Sequence, residues 1–141
     1  MFGLNEEFEI PTWNLALDRI QNITHNRNPY ISCNIDWEDY FYDFIGVTKK
    51  PGEEIQEIVL EFSEDSAPYV KTKPIHTTQR TEEKNGKLIV RIEVIPNYEL
   101  ESQILSYGEI ARVLEPVDLK RRIESNLSES LRNYQNNQKR E

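Results

Sequence analysis

Apolar and polar residues alternate from Lys87 to Ile95. Leu88, Val90, Ile92 and Val94 fall on one side, and Lys87, Ile89, Arg91 and Glu93 on the other. A period of two marks a strand with one buried face. The Asn85-Gly86 pair just before it suits a two-residue hairpin turn, since both residues tolerate positive φ. The partner strand is expected over Thr77–Glu82. Upstream, Ile58, Leu60 and Phe62 share one face of a strand predicted over Ile55–Phe62. A short helix follows over Asp65–Thr72, opened by Ser63 or Asp65 and closed before Pro74. Downstream, Pro96-Asn97 caps a helix whose apolar stripe is Leu100, Ile104 and Tyr107, with Gly108 as its stop. A last strand is predicted over Ala111–Leu114, ahead of Pro116. The order strand, helix, strand, strand, helix, strand predicts an α+β fold. Its expected form is a ferredoxin-like sandwich, with an antiparallel sheet and both helices on one face.

The flanks carry different patterns. Glu7 to Thr24 reads as extended structure, with Trp13, Leu15 and Leu17 on one side and Pro11 at its entry. One or two strands are not stable alone in water, so this piece needs a partner surface. Asp36 to Gly46 predicts a helix: Asp36 is a good N-cap, Trp37, Tyr40, Phe41, Phe44 and Ile45 recur at helical spacing, and Gly46 suits the stop. Thr48 to Glu54, with its Pro51-Gly52 turn, reads as a linker. From Val117 onward a final helix is predicted. Leu119, Ile123, Leu127 and Leu131 repeat every four residues, with Tyr134 three further on. That stripe suits docking on the sheet domain or pairing with a second copy. The tail from Asn136 to Glu141 is expected to fray.

Charge narrows the partners. Formal net charge is −8, and residues 51–116 hold 13 acids and 7 bases, whereas residues 117–141 hold 4 acids and 6 bases. An acidic body repels phosphate backbones, which argues against broad nucleic-acid binding by this chain. The predicted strand Leu88–Val94 shows no exposed aromatic for stacking on RNA bases. Lys120, Arg121 and Arg122 read as a solvated helix face. No apolar run reaches the length of a membrane span, and the start Met1-Phe2-Gly3-Leu4 lacks the basic flank of a signal peptide. The single cysteine, Cys33, allows no internal disulfide, so a reducing, cytoplasmic setting is expected.

Candidate chemistry is sparse, and no enzyme is expected. Cys33 beside Pro29-Tyr30 reads as a small buried residue rather than a nucleophile, and His25 forms no dyad with it. The sequence lacks metal-ligand spacing, a glycine-rich phosphate loop and a nucleophile elbow, so no metal, cofactor or catalytic residue is assigned. A phosphate-cleaving enzyme on this fold would want an arginine after the first strand, where the chain has the acidic run Ser63 to Ser66. The best ligand-binding candidates are Lys71, Lys73, His76, Gln79 and Arg80, donors close enough in sequence to meet an anion. Strand alternation separates Gln79 from Arg80. Tyr98 is placed to cover a ligand, and Tyr107 is expected in the core.

Several local words, in this order, resemble a bacterial family. Leu15-Ala-Leu-Asp-Arg-Ile20 is similar to the closing strand of a WYL domain, and Phe44-Ile-Gly-Val47 to the connector after it. Ile75-His-Thr-Thr-Gln79, Tyr98-Glu-Leu, Ile104-Leu-Ser-Tyr-Gly108 and Val113-Leu-Glu-Pro116 are similar to the C-terminal extension of WYL-domain transcriptional regulators. The resemblance implies a remnant of the barrel over residues 1–33, a connector over 34–51, the extension domain over 52–116 and a terminal helix over 117–141. The Trp-Tyr-Leu signature and the winged helix-turn-helix of the family are absent, which points to a piece of a longer regulator. The resemblance further implies an effector-sensing or dimerising module, a homodimer, and an anionic or nucleic-acid effector. Operator DNA would be met only through the missing N-terminal domain. It places Arg19 at a basic pocket; an ion pair with Asp18 is the other reading. The alternative function is a stand-alone small-ligand-binding module.

Overall fold

The computed structural model describes residues 2–5, 10–25, 27, 29, 32, 34–49 and 52–137. The chain divides into two compact units, Met1–Tyr42 and Asp43–Glu141. Expectations for Glu7, Tyr30, Cys33 and Pro51, and for the tail beyond Asn137, lie outside the described residues.

In the first unit β1 (Phe2–Asn5) and β2 (Ile10–Asn14) form an antiparallel pair. The extended segment is shorter than its pattern predicts: β2 ends at Asn14, which pairs with Phe2. After it the backbone turns into a short 3-10 helix over Leu17–Arg19. There the Arg19 N–H donates to the Ala16 carbonyl at 3.1 Å. Leu17, expected on a buried strand face, is 65% exposed. Helix α1 (Trp37–Tyr42) opens as its N-cap predicts, with Asp36 Oδ1 accepting the N–H of Glu38 at 3.0 Å and of Asp39 at 3.3 Å. The Trp37 ring stacks on Phe41, and Tyr40 meets Phe41 edge-on.

The second unit begins where that helix was expected to continue. The bond that would close a helix reaching Gly46, from Val47 N–H to Asp43 carbonyl, is replaced at both ends. Asp43 accepts the Ile95 N–H at 2.7 Å, and the Val47 N–H donates to Glu99 Oε1 at 3.4 Å. Gly46 takes φ +81° in the resulting turn.

The rest is the predicted series: β3 (Gln56–Ser63), a 3-10 turn leading into α2 (Ala67–Thr72), β4 (Arg80–Lys84), β5 (Lys87–Val94), α3 (Tyr98–Ser106), β6 (Ala111–Glu115) and α4 (Val117–Asn137). The sheet runs β4-β5-β3-β6, all antiparallel, the strand order of a ferredoxin-like sandwich. Register places Ile58 opposite Ile92, Leu60 opposite Val90 and Val113, and Phe62 opposite Leu88. These residues share one face because side chains alternate along a strand. Val70, Ile75, Leu100, Ile104, Leu119 and Ile123 close over them to make one core. Tyr107 joins it edge-on to Phe62, with ring centres 5.1 Å apart.

Asn85 at φ 52° and Gly86 at φ 70° make the primed hairpin turn their sequence demands. Strand β4 starts at Arg80 rather than Thr77. Ahead of it, Thr78 substitutes a side chain for a backbone ladder pair: its hydroxyl accepts the Glu93 N–H at 3.0 Å and donates to the Glu93 carbonyl at 3.4 Å. On the outer sheet face, alternation leaves Val59 and Ile89 among the cross-strand ion pairs Arg91–Glu57, Arg112–Glu61 and Arg80–Glu93. Both apolar residues are buried there.

Candidate functional site

Two of the hollows on the second unit involve the candidate residues. One, of about 860 Å³, is lined by Lys71, Pro74, Ile75, His76, Thr77, Gln79 and Thr81 at the corner between α2 and β4. It gathers three of the ligand-binding candidates. Gln79, however, faces inward as a structural brace: its Oε1 accepts the Ile75 N–H at 2.9 Å and its Nε2 donates to the Val70 carbonyl at 3.2 Å. His76 Nδ1 lies 2.8 Å from the Thr78 hydroxyl and 3.3 Å from the Thr78 backbone nitrogen.

The cations of this corner are already engaged. Lys71 is paired with Glu83, and Arg80 with Glu93. The hydrogen bond from Lys71, and then its charge, hold the Glu83 carboxyl below the ordinary carboxylate range. Lys73 lies over the Tyr69 ring, 5.0 Å from its centre. An anion at this corner would therefore enter by exchanging with Glu83 or Glu93.

Tyr98 lines the other hollow, of about 610 Å³, between the linker, the start of α3 and α4. Its ring is 73% exposed. The rim carries Glu53, Glu54, Glu101, Asp118 and Arg122, and Arg122 Nε donates to Glu101 Oε1 at 2.6 Å. Arg19 is exposed in the 3-10 turn of the first unit. Within the second unit, Tyr98 and the group Lys71, His76 and Gln79 line different hollows. Among the described residues no group of three His, Cys, Asp or Glu side chains is arranged to hold a metal ion.

A different constellation is built with more care. Asn97, 2% exposed, caps α3 by accepting the Leu100 N–H on Oδ1 at 2.9 Å. Its Nδ2 donates to the carbonyls of Ile45 at 2.7 Å and Thr48 at 2.9 Å. Two residues on, Glu99 Oε1 accepts the Thr48 hydroxyl at 2.6 Å as well as the Val47 N–H. Gly46 lies against the Glu99 side chain so closely that an added Cβ would fall 2.5 Å from Glu99 Cγ. Together these contacts bolt connector residues 43–48 to the first turn of α3. Sequence reasoning named Asn97 only as a cap and Gly46 only as a helix stop. The available signal was the pairing of an Asn cap with a Glu in the first turn, next to a proline.

No helix among the described residues is long and apolar enough to cross a membrane. No curated protein matches the chain. A family model, the WCX domain, matches residues 54–131, from just before β3 to Leu131 in α4. That span is more than half of the chain and takes in the whole sheet, α2 and α3. The chain belongs to the WCX domain family, the C-terminal extension domain associated with WYL domains.

Proposed function

We propose that this chain is the regulatory C-terminal module of a WYL-type bacterial transcriptional regulator, acting by binding and assembly rather than catalysis. A helix-turn-helix domain elsewhere in the protein contacts operator DNA. Family membership supports the setting. The observation that carries the mechanism is the clamp of Asn97 and Glu99 on residues 45–48. A domain bolted to the segment that precedes it passes on a change in its own ligand or assembly state. An effector works through such a coupling only if it binds one arrangement more tightly than another.

The test is a full-length regulator carrying Asn97→Ala, assayed for operator binding and for effector-dependent expression of a reporter. Retained operator binding with a lost response supports the clamp; an unchanged response rejects it. The anion site is tested separately by Lys73→Glu with Arg80→Glu, and unchanged induction in that double variant removes it.

A second reading, a stand-alone module for a small anionic ligand, draws on the hollow beside Lys71 and His76. Ligand binding by the chain with no response in any regulator would favour it.

A further inference from the structure

Lys71 stands between two hollows. It lines the corner hollow of about 860 Å³ together with Ile75, Thr77 and Thr81. It also lines a hollow of about 500 Å³ between the start of α2 and the β4–β5 hairpin. Of these two, Glu83 lines only the second, where its carboxylate accepts a hydrogen bond from the Lys71 ammonium. Alternation along β4 puts Thr81 and Glu83 on the helix side of the sheet, opposite Val90 and Leu88. Arg80 falls on the outer side, paired with Glu93, and Lys73 lies over the Tyr69 ring. Of the described residues lining the corner hollow, Lys71 alone is a lysine, an arginine or a carboxylate.

The corner has the other parts of a ligand site. Ile75 is 9% exposed, and Gln79 braces it by accepting its N–H and donating to the Val70 carbonyl, so the apolar floor holds its shape. Among the described residues, the hydroxyls of Thr77 and Thr81 have no partner within the chain and are left to a ligand or to water. One cation, two hydroxyls and an apolar floor match a single carboxylate on a hydrocarbon body. A phosphate dianion calls for a second cation, and no other lysine or arginine among the described residues lines the hollow.

We propose that the corner between α2 and β4 binds a small aliphatic monocarboxylate on Lys71, and that Glu83 is its built-in competitor. A carboxylate of the chain holds the lysine until a carboxylate of the ligand replaces it. This site rests on the second reading above, a module for a small anionic ligand, and adds a ligand class and a gate to it. The competition is weak enough to be reversed, because both side chains are exposed and an exposed ion pair contributes little. The hydrogen bond from Lys71, and then its charge, hold the Glu83 carboxyl below the ordinary range, so the Glu83 titration reports whether Lys71 is still engaged.

The test is a titration of the whole chain with hexanoate at constant ionic strength, followed by amide and carboxyl NMR. Saturable shifts are expected at Ile75, Thr77 and Thr81, with half-saturation on the order of 1 mM. The Glu83 titration should move up toward the ordinary range as the site fills. Hexanol and inorganic phosphate should give no saturable shift at the same residues. Glu83→Gln should tighten hexanoate about two- to five-fold, the range set by an exposed ion pair. Lys71→Met should weaken it at least about ten-fold. Because Lys71→Met leaves the Glu83 charge facing the ligand, Lys71→Met with Glu83→Gln separates repulsion from loss of the lysine, and it should still bind more weakly than the wild type. Both positions are exposed, so circular dichroism should be unchanged. A double variant as tight as the wild type, a Glu83→Gln chain no tighter than the wild type, or phosphate binding on a par with hexanoate would each overturn the site. Saturable binding indifferent to all three variants would overturn it and leave a small-ligand role at another surface. No saturable binding of hexanoate or phosphate anywhere on the chain would count against that reading as well.

Discussion

Asn97 holds Ile45 to the start of α3: one end of its amide donates to the Ile45 carbonyl at 2.7 Å, and the other accepts the Leu100 N–H at 2.9 Å. The two ends are separable by substitution. Asn97→Asp keeps the cap but sets a carboxylate against the carbonyls of Ile45 and Thr48, whereas Asn97→Ala loses every bond. Buried carbonyls left without a donor should cost about 1–3 kcal/mol in urea unfolding in either variant, and the lost cap about 1 kcal/mol more in Asn97→Ala. Amide exchange at Val47 should quicken in both. An Asp variant as stable as the wild type would mean that the bonds to the connector contribute nothing.

Gly46 is the tightest point of the same clamp. At φ +81°, with a Cβ position 2.9 Å from Glu99 Cβ as well as 2.5 Å from its Cγ, alanine is strained twice over. Gly46→Ala should cost about 1–3 kcal/mol. Adding Glu99→Ala should recover only part of this, because the backbone strain and the Cβ contact remain. Full recovery in the double variant would assign the whole cost to the longer Glu99 side chain.

The Lys71–Glu83 pair predicts a pH dependence of known sign. Its hydrogen bond and charge lower the folded-state pKa of Glu83, so the unfolded chain takes up that proton first. The stabilisation is complete above the unfolded value and is lost as pH falls through the lowered folded value. Lys71→Met should move the Glu83 titration, followed by carboxyl NMR, back up toward the ordinary range. The stability gap between wild type and variant should be widest near neutrality and vanish in acid. Both side chains are exposed, so the gap is small.

Two leucines on one helix should respond oppositely to truncation. Leu119→Ala opens a cavity in the core and should cost about 2–5 kcal/mol. Leu127→Ala, at a half-exposed position, should change stability by less than about 0.5 kcal/mol. Equal costs would mean that the distal half of α4 is packed against something within the chain.

Local pattern made much of the second unit legible. The alternation from Leu88 to Val94, the Asn85-Gly86 turn and the Asn97 cap each answer to neighbours a few residues away, and each stands in the structure as its sequence implies. What escaped reading depends on partners distant in sequence. The helix expected to reach Gly46 ends at Tyr42 because Ile95 and Glu99, some fifty positions on, take the groups its next turn would have used. Strand β4 starts late because Thr78 satisfies Glu93 with a side chain, which no propensity encodes. For the candidate site, the bases were visible and their partners were not. Glu83 and Glu93 reach Lys71 and Arg80 only once the sheet has formed, and Gln79, named as a ligand-binding candidate, turns inward to brace the loop before β4.

The strand made first in the sheet is its most dependent. Leu60 in β3 is flanked by Val90 on one side and Val113 on the other, and α4 must then lay Leu119 into the core. A nascent chain that has emerged only as far as Gly108 therefore presents β3 with one bare edge and an uncovered core. Non-local pairing of this kind is slow to assemble and prone to capture by other chains. Closure waits on α4 leaving the ribosome, so the segment that completes the domain is also the last part of that domain to be synthesised.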